Sequence, residues 1–230
     1  MVGDLHWTEE YARLTREILG TSLPTEYRMA RIHSLYPPES EWFAKAYAAL
    51  FAIELEYVDH LLLELKNHNV RGAFAEFGIF QGAWINRLYE MTERAGLGDR
   101  QIWGFDSFAG LSRPHPSADY PFWKEGMYTA SRAQVEANVL SAERPRIKLV
   151  EGFFSDSLKS AEAAVLGEVT FARIDCGIYE PALDCLRFLG PRLTKARFSY
   201  SMTGLTITSS VKPGHFLSGR RASHVCGSSS

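Results

Sequence analysis

Two carboxylates and two glycines at regular distances are the residues of this chain that could do chemistry. In GAFAEFGIFQG, residues 72–82, the apolar run Ala73, Phe74 and Ala75 leads into Glu76, then Gly78 and Gly82, and the helical pattern WINRLYEMTERAG follows. The order is strand, tight turn, helix, with glycines where a ligand must approach the backbone closely. Dinucleotide enzymes carry G-x-G-x-x-G at such a turn and aim helix N–H groups at a pyrophosphate. Here the spacing is E-x-G-x-x-x-G, and an acid in that position repels phosphate. A ligand with a positive group, such as the amino-acid end of S-adenosylmethionine, suits it better. A second acid, Asp106, closes the run QIWGFD. It lies roughly 20 residues beyond the glycine turn, where a carboxylate can meet the two hydroxyls of a ribose. Taken alone, Asp106 serves equally well as a solvated cap of the Ser107–Leu111 turn. Paired acids at successive strand ends favour the ligand reading, and a nicotinamide oxidoreductase is disfavoured by Glu76 and the missing third glycine.

The elements that must position these residues follow from periodicity. Strands are expected at 72–77, 101–105, 147–151 and 168–174, and helices at 83–95, 131–141, 155–165 and 180–189. That alternation predicts an α/β domain: a parallel sheet with helices on both faces and a ligand crevice at the carboxyl ends of the strands. Glu76, Asp106, Gly152 and Asp175 all fall at that edge. The connection from 107 to 130 is longer than ordinary loops and rich in aromatics and proline, which suits a lid. Upstream, 7–19 and 40–68 read as helical, separated by Pro37 and Pro38. The second of these is apolar almost all round and reads as two packed helices.

Bulk properties exclude several classes. At 230 residues and a formal charge of −2, the chain fits one α/β domain and carries no basic stripe for nucleic acid. It has no apolar run long enough to span a bilayer, and MVGDLHWTEEY lacks a basic and an apolar leader region, so a cytoplasmic protein is expected. Cys176, Cys185 and Cys226 show neither metal spacing nor an even disulfide framework.

Four segments in this order, AEFGIFQG (75–82), GFDSFAGL (104–111), EGFFSDSL (151–158) and RIDCGIYEPALDCLRFLGPRL (173–193), resemble the macrocin O-methyltransferase family of class I S-adenosylmethionine-dependent enzymes. The resemblance implies a Rossmann-like sheet of seven strands and methylation of a hydroxyl on a sugar-like small molecule. It puts Glu76 and Gly78 on the methionine side of the donor and Asp106 on the ribose, with Gly82 also among the cofactor-binding residues. Ser107, Gly152 and Phe153 would lie near ribose and adenine, and Phe154 in the core. It makes Asp175 the catalytic residue, as first ligand of a Mg²⁺ ion that holds the acceptor's hydroxyls. A hard cation there would take oxygen ligands and lower the acceptor hydroxyl's pKa. Assembly with further copies of the chain stays open.

The chain departs from the family in two places. The family's Asp-x-Asp-x-Tyr becomes Asp175, Cys176, Gly177, Ile178, Tyr179 here, so one carboxylate is absent. The family then continues into a buried strand ending in two adjacent Asp residues that complete the metal site. From Thr194 onward this chain has no acid at all. If Lys195–Gly204 is written as AAG GCG CGA TTC TCG TAT TCG ATG ACT GGC, a frame two bases later reads Gly-Ala-Ile-Leu-Val-Phe-Asp-Asp-Trp, the missing strand and acid pair. The domain division expected is therefore a helical cap at 1–71, a donor-binding core at 72–193, and an atypical tail at 194–230. FSYSMTGLTITSS would add one strand by β-propensity, leaving the C-terminal strands incomplete. In the lid, His115 reads as a sugar contact or auxiliary base, and Tyr120, Phe122 and Trp123 as stacking groups. His33, His60 and His68 read as structural, and Arg28 and Arg31 as surface ion pairs or partners of the donor carboxylate. A donor-binding chain without turnover is the alternative to a working enzyme.

Overall fold

The computed structural model describes residues 41–117, 119, 123–193, 196–200 and 205–209. The expected helix at 7–19, Pro37, Pro38, Arg28, Arg31, His33, Tyr120, Phe122 and Cys226 lie outside the described residues.

The first described helix, α1 (Glu41–Asn67), is one continuous element of 27 residues, not two. Its sequence contains neither Gly nor Pro to break it. It is also less uniformly apolar in effect than in composition. Val58, Leu62 and Leu65 are buried at helical spacing, while Tyr57 and Leu63 face solvent.

After α1 come β1 (Ala73–Phe77), α2 (Ala83–Arg94), β2 (Ile102–Asp106), α3 (Arg132–Asn138) and β3 (Ile147–Glu151). Two short helices follow, α4 (Phe154–Ser157) and α5 (Ala161–Ala164), where the periodicity suggests one at 155–165. The split falls at Ser160, whose hydroxyl accepts from the Ala163 N–H and caps a new helix start. β4 (Val169–Ile174) and α6 (Tyr179–Leu189) complete the alternating part, and a 3₁₀ turn spans Gly190–Arg192. β5 (Ala196–Tyr200) and β6 (Leu205–Ser209) follow.

The sheet order is β3-β2-β1-β4-β6-β5. β1 pairs in parallel with β2 on one side and β4 on the other, and β2 in parallel with β3. The chain therefore winds outward from β1 through β3, then crosses back to β4. In open α/β sheets ligands bind beside such a reversal, here at the carboxyl ends of β1 and β4. The tail contributes two strands instead of the one expected: β6 runs antiparallel to β4, and β5 antiparallel to β6. β-Branched and aromatic residues in ARFSY and LTITS suit a hairpin even in a polar segment.

Alternation along the strands divides the core by face. Phe74 and Phe171 meet Ile85 and Leu88 of α2 and Val58 and Leu62 of α1 on one side. Phe77, Phe105 and Val150 meet Phe154, Phe188 and Leu189 on the other. Phe154 is a core residue, as its bland sequence reading has it: its ring stands edge-on to Phe77 at 6.0 Å.

Candidate active site

The sheet brings Glu76 and Asp175 to one place through a third residue. Glu76 is 1% exposed, on the same face as Phe74, and lies opposite Arg173 in the β1–β4 register. The Arg173 guanidinium donates from one nitrogen to Glu76 Oε1 at 3.1 Å and from another to Asp175 Oδ2 at 2.8 Å. Its plane lies 4.7 Å over the ring of Trp84, and that ring stacks on Phe171. A positive partner for Glu76 is thus already supplied by the neighbouring strand.

Asp106 does the work of a tie. One carboxylate oxygen accepts the Ile79 and Phe80 N–H groups at 2.8 and 3.0 Å, and the other accepts the Phe108 N–H at 2.8 Å. Capping of the turn after β2 is therefore real, but the carboxylate is buried instead of solvated, and it also fixes the β1–α2 turn. A carboxylate offers about four acceptor positions, so one remains for a ligand hydroxyl. The Asp106 carbonyl accepts the Gly152 N–H at 2.9 Å, which draws the tip of β3 into the same unit. Ser107 spends its hydroxyl on the Gly110 carbonyl at 2.7 Å, shaping the start of the lid.

The glycines are required by packing more than by ligand approach. Gly78 has φ +86°, and a Cβ there would lie 2.2 Å from the Asp175 carbonyl oxygen. Gly82 has φ +83° at the N-cap of α2, and a Cβ would meet Val139 Cγ1 at 2.5 Å. At both positions another part of the protein approaches the backbone closely. Phe153 projects from the N-cap of α4 with 42% of its surface exposed, open to a flat ligand.

Toward β4 the lid takes over. Trp123 lies against Gly177, 3.6 Å from where a Cβ would be, and stands edge-on to Tyr128, whose ring in turn meets Phe80. Asp119 reaches from the lid to the start of α6, accepting the Tyr179 N–H at 2.7 Å and the His115 N–H at 2.6 Å. A cavity of about 390 Å³ opens here, lined by Arg113, His115, Asp119, Trp123, Lys124 and Glu125. The Ser117 N–H donates to His115 Nδ1 at 3.3 Å, which leaves the proton of a neutral ring on Nε2. Cys185 is fully buried, and desolvation, followed by the neighbouring Cys176 thiol, pushes its thiol well above the usual range; it packs and does not react.

Sequence reasoning overlooked Arg173, Trp84 and Asp119. Arg173 could have been found from its sequence alone, as a charge within the apolar run VTFARI. Asp119 carries no such signal, since its contact depends on how the lid folds back.

A parallel sheet with this winding and its acids at the carboxyl edge defines a Rossmann-like fold of the methyltransferase kind. The family described as Macrocin-O-methyltransferase (TylF) matches residues 37–200, and the chain belongs to that family of O-methyltransferases. Two solved structures share the fold. The O-methyltransferase NovP has a TM-score of 0.56 and 17% identity, over 69% of this chain and 80% of that one. CalS11, a calicheamicin methyltransferase, has a TM-score of 0.52 and 22% identity, over 82% of this chain and 74% of that one. None of the curated protein sequences gives a significant match. No described helix is long and apolar enough to cross a membrane.

Proposed function

We propose that this chain binds S-adenosylmethionine at the tips of β1–β3 and transfers its methyl group to a hydroxyl of a sugar or glycosylated metabolite. The observation that carries the reading is the Asp106 carboxylate, which gathers the Ile79, Phe80 and Phe108 N–H groups into one rigid edge. In this reading Glu76, Gly78 and Gly82 border the methionine part, Asp106 and Ser107 the ribose, Gly152 and Phe153 the adenine. Asp175 faces the acceptor. The acceptor oxygen forms its bond to the methyl carbon as the carbon–sulfur bond breaks, with the electron pair going to sulfur and the hydroxyl proton to water. In-line alignment in a closed crevice supplies most of the acceleration. The description of CalS11 as a calicheamicin methyltransferase supports a glycosylated acceptor.

The Mg²⁺ ion that the family implies does not fit the residues of this chain. Asp175 is engaged by Arg173, Gly177 offers no ligand, and no group of three or more metal-binding side chains occurs among the described residues. No step is assigned to a metal. Those same observations favour a second reading, a chain that holds the donor without turning it over. The tail at 194–230 then stands as a segment read out of frame, after a helical cap at 1–71 and a core at 72–193. Codons at 195–204 differing from the set given above would remove the frame idea. Cytoplasmic residence and self-assembly belong to the same proposal. Incubation with methyl-labelled S-adenosylmethionine and glycosylated acceptors is expected to give labelled acceptor. Donor binding without label transfer selects the second reading, and no donor binding overturns both.

A further inference from the structure

We infer that Phe80 and Tyr128 are donor-binding residues whose rings receive the methyl-sulfonium cation of S-adenosylmethionine by cation–π attraction, between the tips of β1 and β4. The inference rests on the methyltransferase reading and adds to it two residues and the charge they recognise.

Both residues hold a backbone conformation that bulky side chains rarely adopt, with φ 46° at Phe80 and φ 60° at Tyr128. Such strain persists where neighbours fix it, and it gathers at ligand sites. Asp106 accepts the Phe80 N–H at 3.0 Å. On either side of Tyr128, the Met127 carbonyl accepts the Leu111 N–H at 2.9 Å and the Thr129 hydroxyl donates to the Gly126 carbonyl at 2.6 Å. Phe108 shares the conformation, at φ 52°, but turns its ring into the core. Phe80 and Tyr128 instead stay 37% and 51% exposed, with their rings edge-on at 5.5 Å. Tyr128 also meets Trp123 at 5.7 Å, and Trp123 lies against Gly177. The aromatic row thus runs from the turn after β1 to the turn after β4, which the methyl group crosses in this reading. The acids at the strand tips are engaged: Glu76 and Asp175 pair with Arg173, and Asp106 holds three N–H groups. A ligand cation seated along the row therefore meets aromatic rings, whose faces attract positive charge. A sulfonium has no N–H to donate, so it gives up no hydrogen bond by doing so.

Calorimetry of the full chain with S-adenosylmethionine and with S-adenosylhomocysteine tests this, because the two differ by one methyl group and one positive charge at sulfur. In Phe80→Leu combined with Tyr128→Leu, the ratio of S-adenosylmethionine to S-adenosylhomocysteine affinity is expected to fall about fivefold or more from the wild-type ratio. S-adenosylhomocysteine affinity itself should stay within about twofold, because Leu keeps an apolar side chain and Asp106 still holds the backbone N–H at position 80. Tyr128→Phe keeps the ring and should keep the ratio. An unmoved ratio in the double variant would overturn the inference, as would an equal loss of both affinities, which is what packing alone would give. Where the double variant does not fold, Tyr128→Leu decides at an exposed site: a fall of about twofold or more in the ratio is expected, and no change overturns the inference. If both ligands bind the wild type and the ratio does not move, the inference alone fails. If neither binds the wild type, the methyltransferase reading falls with it.

Discussion

The two sides of the crevice are built differently. On the donor side, the tips of β1, β2 and β3 are joined by backbone N–H groups converging on one residue, Asp106. On the other side, the tip of β4 is held by an ion pair through Arg173, and Trp123 of the long 107–130 connection lies 3.6 Å from where a Cβ at position 177 would be. The first arrangement holds three backbone N–H groups on one buried carboxylate. The second has its charge already neutralised from within. The two ends of the edge thus rest on different contacts, backbone donors at Asp106 and side-chain ion pairs at Arg173.

Substitutions can separate the sides. The largest effect is expected at Gly78→Ala, where the two meet: a methyl group placed 2.2 Å from the Asp175 carbonyl oxygen, at φ +86°, has nowhere to go. Urea denaturation should show a loss of about 3 kcal/mol, combining backbone strain and overpacking. Next comes Asp106→Ala, which strands three N–H donors on the donor side only. A loss of about 2 kcal/mol and about tenfold weaker S-adenosylhomocysteine binding are expected, read by denaturation and calorimetry. The smallest belongs to Gly177→Asp, on the acceptor side only. Its φ of +71° disfavours a side chain by about 1–2 kcal/mol, though Asp tolerates that region better than most residues. Donor affinity should stay within about twofold of the wild type. A larger fall would mean that the two sides are coupled more tightly than their hydrogen bonds imply.

Much of the donor side was legible in the sequence, because its elements announce themselves locally. An apolar run ending in an acid, a glycine with positive φ, and a helix start were enough to locate Glu76, Gly78 and Asp106. What could not be read was how these acids are satisfied. The pairing of Glu76 with Arg173 spans 97 residues and depends on the β1–β4 register, which periodicity does not supply. A second requirement for Gly78 is equally out of reach of the sequence, since the neighbour that forbids a side chain is the backbone of Asp175, 97 residues on. Apolar content suggests two helices over 40–68, although α1 has neither Gly nor Pro in its 27 residues to end a helix. In the tail, composition indicated a single strand, whereas pairing with β4 recruits a hairpin.

Isothermal titration of the full chain with S-adenosylhomocysteine, with NAD as the comparison, tests the donor site most directly. One equivalent of S-adenosylhomocysteine should bind, with or without a metal chelator, and NAD should give no heat. Saturable heat from NAD, or none from S-adenosylhomocysteine, would contradict the assignment of the β1–β3 edge to a methyl donor.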